Sequence, residues 1–302
     1  MNLHALRIFY TVATLNSFSK AADALCISQP GISKALKELE YQLDTTLINR
    51  AAKGRKLTLT AAGETLFEHA KSIFAIEKSA LDDIKARIGL KKGTLVLGTS
   101  TTIANYWLPP YLAQFCRQYP DIAVEVQVAN TAQIEQALLD CSIDLALVEG
   151  STYQQGIQST VWQHDTLRVV MASADRVDGH WKHWLSQQVW LVREPGSGTL
   201  EMTEKWLAQH QIQPLKRIQL GSNEAIAHAV AQAVGVALLP QVVTADLLTL
   251  GRVQAVSLPD ATNLARPLYQ LQFKQRPSSH AAQAFKTLLF AKPCQHRLMA
   301  LW

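Results

Sequence analysis

The stretch from Ser17 to Leu43 constrains this chain more than any other. Ser17-Phe18-Ser19 opens a helical pattern in which Ala21, Ala22 and Leu25 suit close packing against a neighbouring helix. After a short break, Ser28 is placed to cap a further helix, with Pro30 in its first turn, where a missing N–H costs little. Ile32, Leu36, Leu39 and Leu43 form the inward stripe of that helix, and Gln29, Ser33, Lys34 and Lys37 fall on the opposite face. Two helices joined in this way, the second with amide, hydroxyl and ammonium groups free, present side chains to base edges in the DNA major groove.

The charge distribution agrees. Residues 1–92 hold 14 Lys/Arg against 9 Asp/Glu, whereas residues 93–302 hold 15 of each, so the whole excess of +5 lies in the first third. A polyanionic partner is expected there. Residues 3–15 are apolar with helical spacing (Leu3, Leu6, Ile8, Phe9, Val12, Ala13) but are interrupted by His4, Arg7 and Tyr10, so a secretory signal is not expected. No window approaches 18 uninterrupted apolar residues, and a cytoplasmic protein without a membrane span is expected. Cys26, Cys116, Cys141 and Cys294 form no CxxC pair and read as buried, reduced thiols.

Two β-prone runs, Leu47–Arg50 and Lys56–Leu59, suggest a hairpin wing with a basic tip. Arg50, Lys53, Arg55 and Lys56 are expected to contact phosphates. Thr60 is placed to cap a long helix running to about Ile88, along which Phe67, Phe74, Leu81 and Ile88 recur every seven residues. Such a seam favours homodimerisation over burial within one chain, although Glu77 weakens its middle. Gly89–Gly93 ends the helix and marks a hinge. Beyond it, nine short β-prone runs alternate with helical ones, which implies parallel sheets covered on both faces and two small α/β lobes.

Phe9, Val12-Ala13, Ser17-Phe18-Ser19, Ala21-Ala22, Leu25, Ser28-Gln29-Pro30, Ser33, Leu39-Glu40, Leu43, Leu47, Arg50, Leu57–Thr60 and Ala62-Gly63 together resemble the LysR-type transcriptional regulators, over about sixty residues in order. Asp44 departs from the usual glycine, at a turn where Asp tolerates a left-handed conformation, and Ile48 from a usual phenylalanine. The resemblance implies a mixed α/β multidomain chain. It consists of a winged helix-turn-helix at 1–60, a dimerising linker helix at 61–89, and an effector-binding domain of periplasmic-binding-protein type at 93–302. Lobe I would take 94–164 and 267–302, and lobe II 165–266. Implied partners are double-stranded promoter DNA, further copies of the chain as homodimer or homotetramer, a small-molecule effector and RNA polymerase. DNA contacts fall to Ser28, Gln29, Pro30, Ser33, Lys34 and Lys37 with the wing residues above.

In two-lobed α/β domains ligands collect beyond the carboxyl ends of strands, where helix N-termini supply free N–H groups. Three such junctions stand out: Gly98–Thr102, Arg193–Thr199 and Gly221-Ser222-Asn223. The resemblance makes Ser100, Thr102, Ser197, Thr199 and Asn223 effector contacts, although Ser, Thr and Asn also cap helices routinely. Hydroxyls and helix N-termini suit a small carboxylate or oxyanion. Glu149, at the end of a strand, would instead prefer an amino or hydroxyl group on the ligand. No cofactor and no metal site is expected, since His180 and His183 have no Cys or carboxylate to complete a shell. The Gly196-Ser197-Gly198 turn is not a hydrolase nucleophile elbow, because Pro195 stands where that turn needs glycine, so no catalysis is expected. A solute-binding transport component is the rival class, and residues 1–60 argue against it.

Overall fold

The computed structural model describes residues 2–49, 57–87, 93–150, 154–258 and 264–291. The chain divides into two compact units, residues 1–81 and 82–302, each with its own core.

The first unit opens with α1 (Leu3–Leu15), α2 (Phe18–Leu25) and α3 (Gln29–Gln42). Each starts on a side-chain cap that satisfies a free amide: Asn2 accepts from Ala5 N, Ser17 from Lys20 N and Ser28 from Gly31 N. Cys26 ends α2 in the left-handed conformation (φ 54°), which turns the chain into α3. Leu6, Ile8, Phe9, Val12, Ala21, Ala22, Ile32, Leu36 and Leu39 share one core. Leu43 does not join them: it lies past the last turn of α3 and is exposed. Asp44 takes the left-handed turn expected of it (φ 48°).

The wing pairs β1 (Ile48–Asn49) with β2 (Thr58–Leu59) antiparallel. The Glu40 carboxylate accepts from Leu47 N at 2.8 Å and Ile48 N at 3.3 Å, tying α3 to the wing. The wing tip, with Arg50, Lys53, Arg55 and Lys56, lies outside the described residues. Thr60 Oγ1 accepts from Gly63 N at 3.0 Å at the start of α4 (Ala61–Arg87). Half of the seven-residue seam is used inside the chain. Ala70 and Phe74 are buried in the first core and Phe67 packs against it, because α4 lies across α1. Glu77 pairs with Arg7, whose guanidinium also sits 4.0 Å over the Phe74 ring. Leu81 and Ile84 remain exposed, and Ile88 lies outside the described residues.

The second unit is built on one long sheet. Its elements are β3 (Gly93–Thr99), a π-type turn Ile103–Trp107, α5 (Pro109–Gln118), β4 (Ile122–Val128), α6 (Thr131–Leu139), β5 (Leu145–Glu149) and β6 (Ile157–Ala172). Then follow α7 (Trp181–Gln187), β7 (Val189–Val192), α8 (Gly198–His210), β8 (Lys216–Gln219), α9 (Asn223–Ala231), β9 (Ala237–Pro240), α10 (Gln241–Thr249), β10 (Val253–Ala255), β11 (Leu264–Phe273) and α11 (His280–Phe290). The main sheet runs β10-β6-β11-β5-β3-β4, with β9 also on β6, and β7 pairs with β8.

The expectation of parallel sheets is corrected. β3 is parallel to β4 and β5, but β11 is antiparallel to β5 and β6, and β6 is antiparallel to β9 and β10. The reason is the crossing between lobes: the chain leaves the first lobe on β6 and returns on β11, two opposed strands. Two cores flank the strands of the first lobe, centred on Leu97, Phe115 and Phe285 and on Ile134, Ile143 and Leu271. Two others flank the second, around Trp190, Trp206 and Leu238 and around Ile226, Val230 and Leu239. Pro109 and Pro110 separate α5 from the π-type turn before it, since proline donates no N–H to a preceding turn. Cys141 is buried, but Cys26 and Cys116 are exposed, against the expectation of buried thiols.

Candidate DNA-reading face and interlobe site

Along α3 the burial is one-sided. Ile32, Leu36 and Leu39 are within 1% of fully buried, while Ser28, Gln29, Pro30, Lys34 and Lys37 are exposed and Ser33 is half-buried. The stripe holds the helix by its inner face and leaves amide and ammonium groups to solvent. Ser28 is committed as the cap.

The second cluster lies where both lobes and both crossing strands meet. Thr102 follows β3 and Glu149 ends β5, both in the first lobe, whereas Thr199 opens α8 and Asn223 opens α9 in the second. All four are buried. Asn223 Nδ2 donates to Thr102 Oγ1 at 2.8 Å and to Thr199 Oγ1 at 3.1 Å, joining the lobes through one amide. Ser100 and Ser197 play a different part, accepting from Ile103 N and Thr199 N as caps at their own junctions. The three junctions therefore divide between helix capping and interlobe bonding.

Two residues not singled out in the sequence complete the cluster. Arg266, on β11, is fully buried, and its Nη1 donates to Thr199 Oγ1 at 2.9 Å. Its Nη2 donates to Asp165 Oδ2 at 2.7 Å, and Glu149 Oε1 lies 3.6 Å from Nη1. Asp165 is the direct cross-strand neighbour of Arg266, so the pair sits on the crossing itself. Burial pushes the Asp165 carboxyl above its usual range, against the opposing pull of Arg266. No local sequence signal marks the pair, since Asp165 and Arg266 lie 101 positions apart and β6 also carries Arg168.

Around this cluster the lobes are stitched by backbone and amides. Ala132 N donates to Gly196 O at 3.1 Å, Asn130 Nδ2 to Glu194 Oε1 at 3.3 Å, and Asn105 Nδ2 to Glu224 Oε1 at 2.9 Å. Glu194 also receives a two-pronged hydrogen bond from Arg193, both contacts at 2.8 Å. Burial raises that carboxyl, but the Arg193 bonds outweigh it and hold it below the usual range. Gly198 lets α8 approach β5, because a Cβ there would stand 2.2 Å from Glu149 O. Among the described residues no group of three or more His, Cys, Asp or Glu could hold a metal, and no helix is long and apolar enough to cross a membrane.

A capped three-helix head with an exposed reading face, joined to a two-lobed domain with a polar seam, defines a DNA-binding protein with a ligand-receiving domain. The comparisons specify it further. Residues 3–64 match the bacterial regulatory helix-turn-helix protein, lysR family, and residues 89–292 match the LysR substrate binding domain. The regulator YeiE of Escherichia coli is 31% identical over 94% of this chain and 96% of its own length. CysL of Bacillus subtilis is 30% identical over 82% and 84%. The solved regulatory domain of Synechocystis CcmR in complex with 2-PG is 25% identical, with a TM-score of 0.60, covering 66% of this chain and 96% of that one. The chain belongs to the LysR family of transcriptional regulators. It is a DNA-binding regulator with an effector-binding domain, and not an enzyme.

Proposed function

We propose that α3 lies in the major groove, with Gln29, Ser33 and Lys34 reading base edges and Lys37 meeting phosphate beside the Ser28-Pro30 turn. Arg50, Lys53, Arg55 and Lys56 extend that contact to flanking phosphates. The observation that carries this reading is the one-sided burial of α3. The chain acts in the cytoplasm as a homodimer, or a pair of them, on a roughly palindromic promoter site, where it also meets RNA polymerase. The domains divide at 1–60, 61–89 and 93–302, with lobe I at 94–164 and 267–302 and lobe II at 165–266.

The effector enters the seam between the lobes. Ser100, Thr102, Glu149, Ser197, Thr199 and Asn223 form the site, joined by Asp165 and Arg266. The Thr102 and Thr199 hydroxyls and the first-turn amides of α8 and α9 suit a carboxylate or small oxyanion on that molecule. Occupancy favours one lobe arrangement and changes how protomers pack on DNA, provided the ligand prefers that arrangement.

Fluorescence anisotropy on the DNA upstream of the chain's own gene tests both halves. Lys37→Ala should reduce the log–log salt slope of binding by about one, and Lys34→Ala should narrow the affinity gap between that DNA and unrelated sequence. Thr102→Ala should keep DNA affinity and weaken the response to added effector. An unchanged slope in Lys37→Ala together with an unchanged affinity gap in Lys34→Ala would remove α3 from the interface.

A further inference from the structure

The seam contains more acid than base. Two buried carboxylates, Glu149 and Asp165, face one guanidinium, Arg266, and the side chains of all three are at most 2% exposed. The guanidinium is used unevenly. It donates to Asp165 at 2.7 Å but stands 3.6 Å from Glu149, outside hydrogen-bond reach. Glu149 Oε2 is left buried with no partner, and so is Asn223 Oδ1, whose amide nitrogen is already shared between Thr102 and Thr199. Buried acceptors without donors are costly, more so when one belongs to a carboxylate. Both belong to one cluster, linked through Thr199 Oγ1 and Arg266 Nη1.

What would satisfy both acceptors is a compact group with several N–H donors and a positive charge. We propose that the effector of this chain carries a protonated amine, seated against Glu149 and Asn223, in addition to whatever anionic group the hydroxyls and helix termini receive. This rests on the interlobe seam being the effector site. An ammonium group has three donors and no acceptor, so it matches two acceptors and leaves a third bond for a hydroxyl. Its charge balances the second carboxylate, which the Arg266 guanidinium does not reach within hydrogen-bond distance. A molecule that is only an anion would meet Glu149 across the same seam and be repelled, because both Nη atoms of Arg266 are already engaged and only its buried Nε is left without a partner. Glu149 therefore acts as the specificity-determining residue, selecting aminated ligands from their unaminated counterparts.

The test uses the full-length protein and matched probe pairs at millimolar concentration: alanine and propionate, 4-aminobutyrate and butyrate, lysine and hexanoate, with putrescine, sulfate and phosphate as pure cation and pure anions. Thermal shift reads binding, since a ligand that prefers the folded state raises Tm. At least one aminated member should raise Tm while its unaminated partner does not. Glu149→Gln should abolish that shift. Asn223→Asp, which adds a second carboxylate at the other acceptor, should enlarge the shift for the amine and serves if Glu149→Gln fails to fold. Shifts from the anions alone, retained in Glu149→Gln but lost in Thr102→Ala, would overturn the amine proposal and leave the seam as the site. An amine shift that survives Thr102→Ala, Glu149→Gln and Asn223→Asp unchanged would overturn the seam itself. Silence from every aminated probe would also overturn the proposal.

Discussion

At the scale of single residues, Arg266 has the largest consequences. It is fully buried and holds two strands and two lobes through Asp165, Glu149 and Thr199. Replacing one partner of a buried ionic cluster leaves uncompensated charge, which costs more than the cluster contributes when whole. Arg266→Met should therefore lower unfolding free energy by about 3–5 kcal/mol, measured by urea denaturation. Asp165 gives a pH signature of known sign. Its carboxyl titrates above the usual value when folded, so its stabilising contribution is complete below the ordinary carboxylate range and fades as pH rises through the raised folded value. The stability of wild type relative to Asp165→Asn should accordingly improve on acidification through that window. A difference independent of pH would show that burial does not govern this carboxyl.

Among elements, the junction of the wing with α4 depends on one missing side chain. A Cβ on Gly63 would stand 2.0 Å from Leu47 O, and that atom is backbone, which cannot swing aside. Gly63→Ala should destabilise the first unit by about 1–3 kcal/mol and weaken promoter binding by disturbing the wing. Chemical denaturation followed through Tyr10, which stacks on Phe67 at 5.3 Å, would report it. Capping operates throughout on the same logic: Ser17, Ser28, Ser197, Ser222 and Ser279 each accept from an amide of their helix's first turn. Serine before a helix is therefore by itself no sign of a ligand, as Ser100 and Ser197 show.

For the whole molecule the question is what α4 does beyond its own core. Phe67, Ala70 and Phe74 are taken up by the first unit, whereas Leu81 and Ile84 are 52% and 55% exposed on a helix of 27 residues. Large apolar side chains left facing water near the end of a long helix favour pairing with a second copy. Leu81→Glu combined with Ile84→Glu should convert dimer to monomer in sedimentation velocity and weaken promoter binding at least tenfold, with each head still folded. An unchanged sedimentation coefficient would move the dimer contact elsewhere.

The helix-turn-helix was legible because its pattern is local. Caps, a three-to-four residue apolar stripe and a left-handed turn at Asp44 are each set by neighbours within a few positions. The strands from β3 to β5 were legible for the same reason, as short apolar runs beside helices. The first half of β6 was not, because Gln158-Ser159-Thr160 and Gln163-His164-Asp165 are polar runs on either side of Val161-Trp162 and show no period-two pattern. The partnership of Arg266 with Asp165 and Glu149 was equally hidden: their separations are 101 and 117 positions along the chain, and only strand register brings them together. The sequence thus determined the head, its caps and its charge by short-range chemistry. The tertiary structure alone decided which hydroxyls cap helices, which bridge the lobes, and which carboxylate is left without a donor, because those outcomes depend on contacts between strands far apart in sequence.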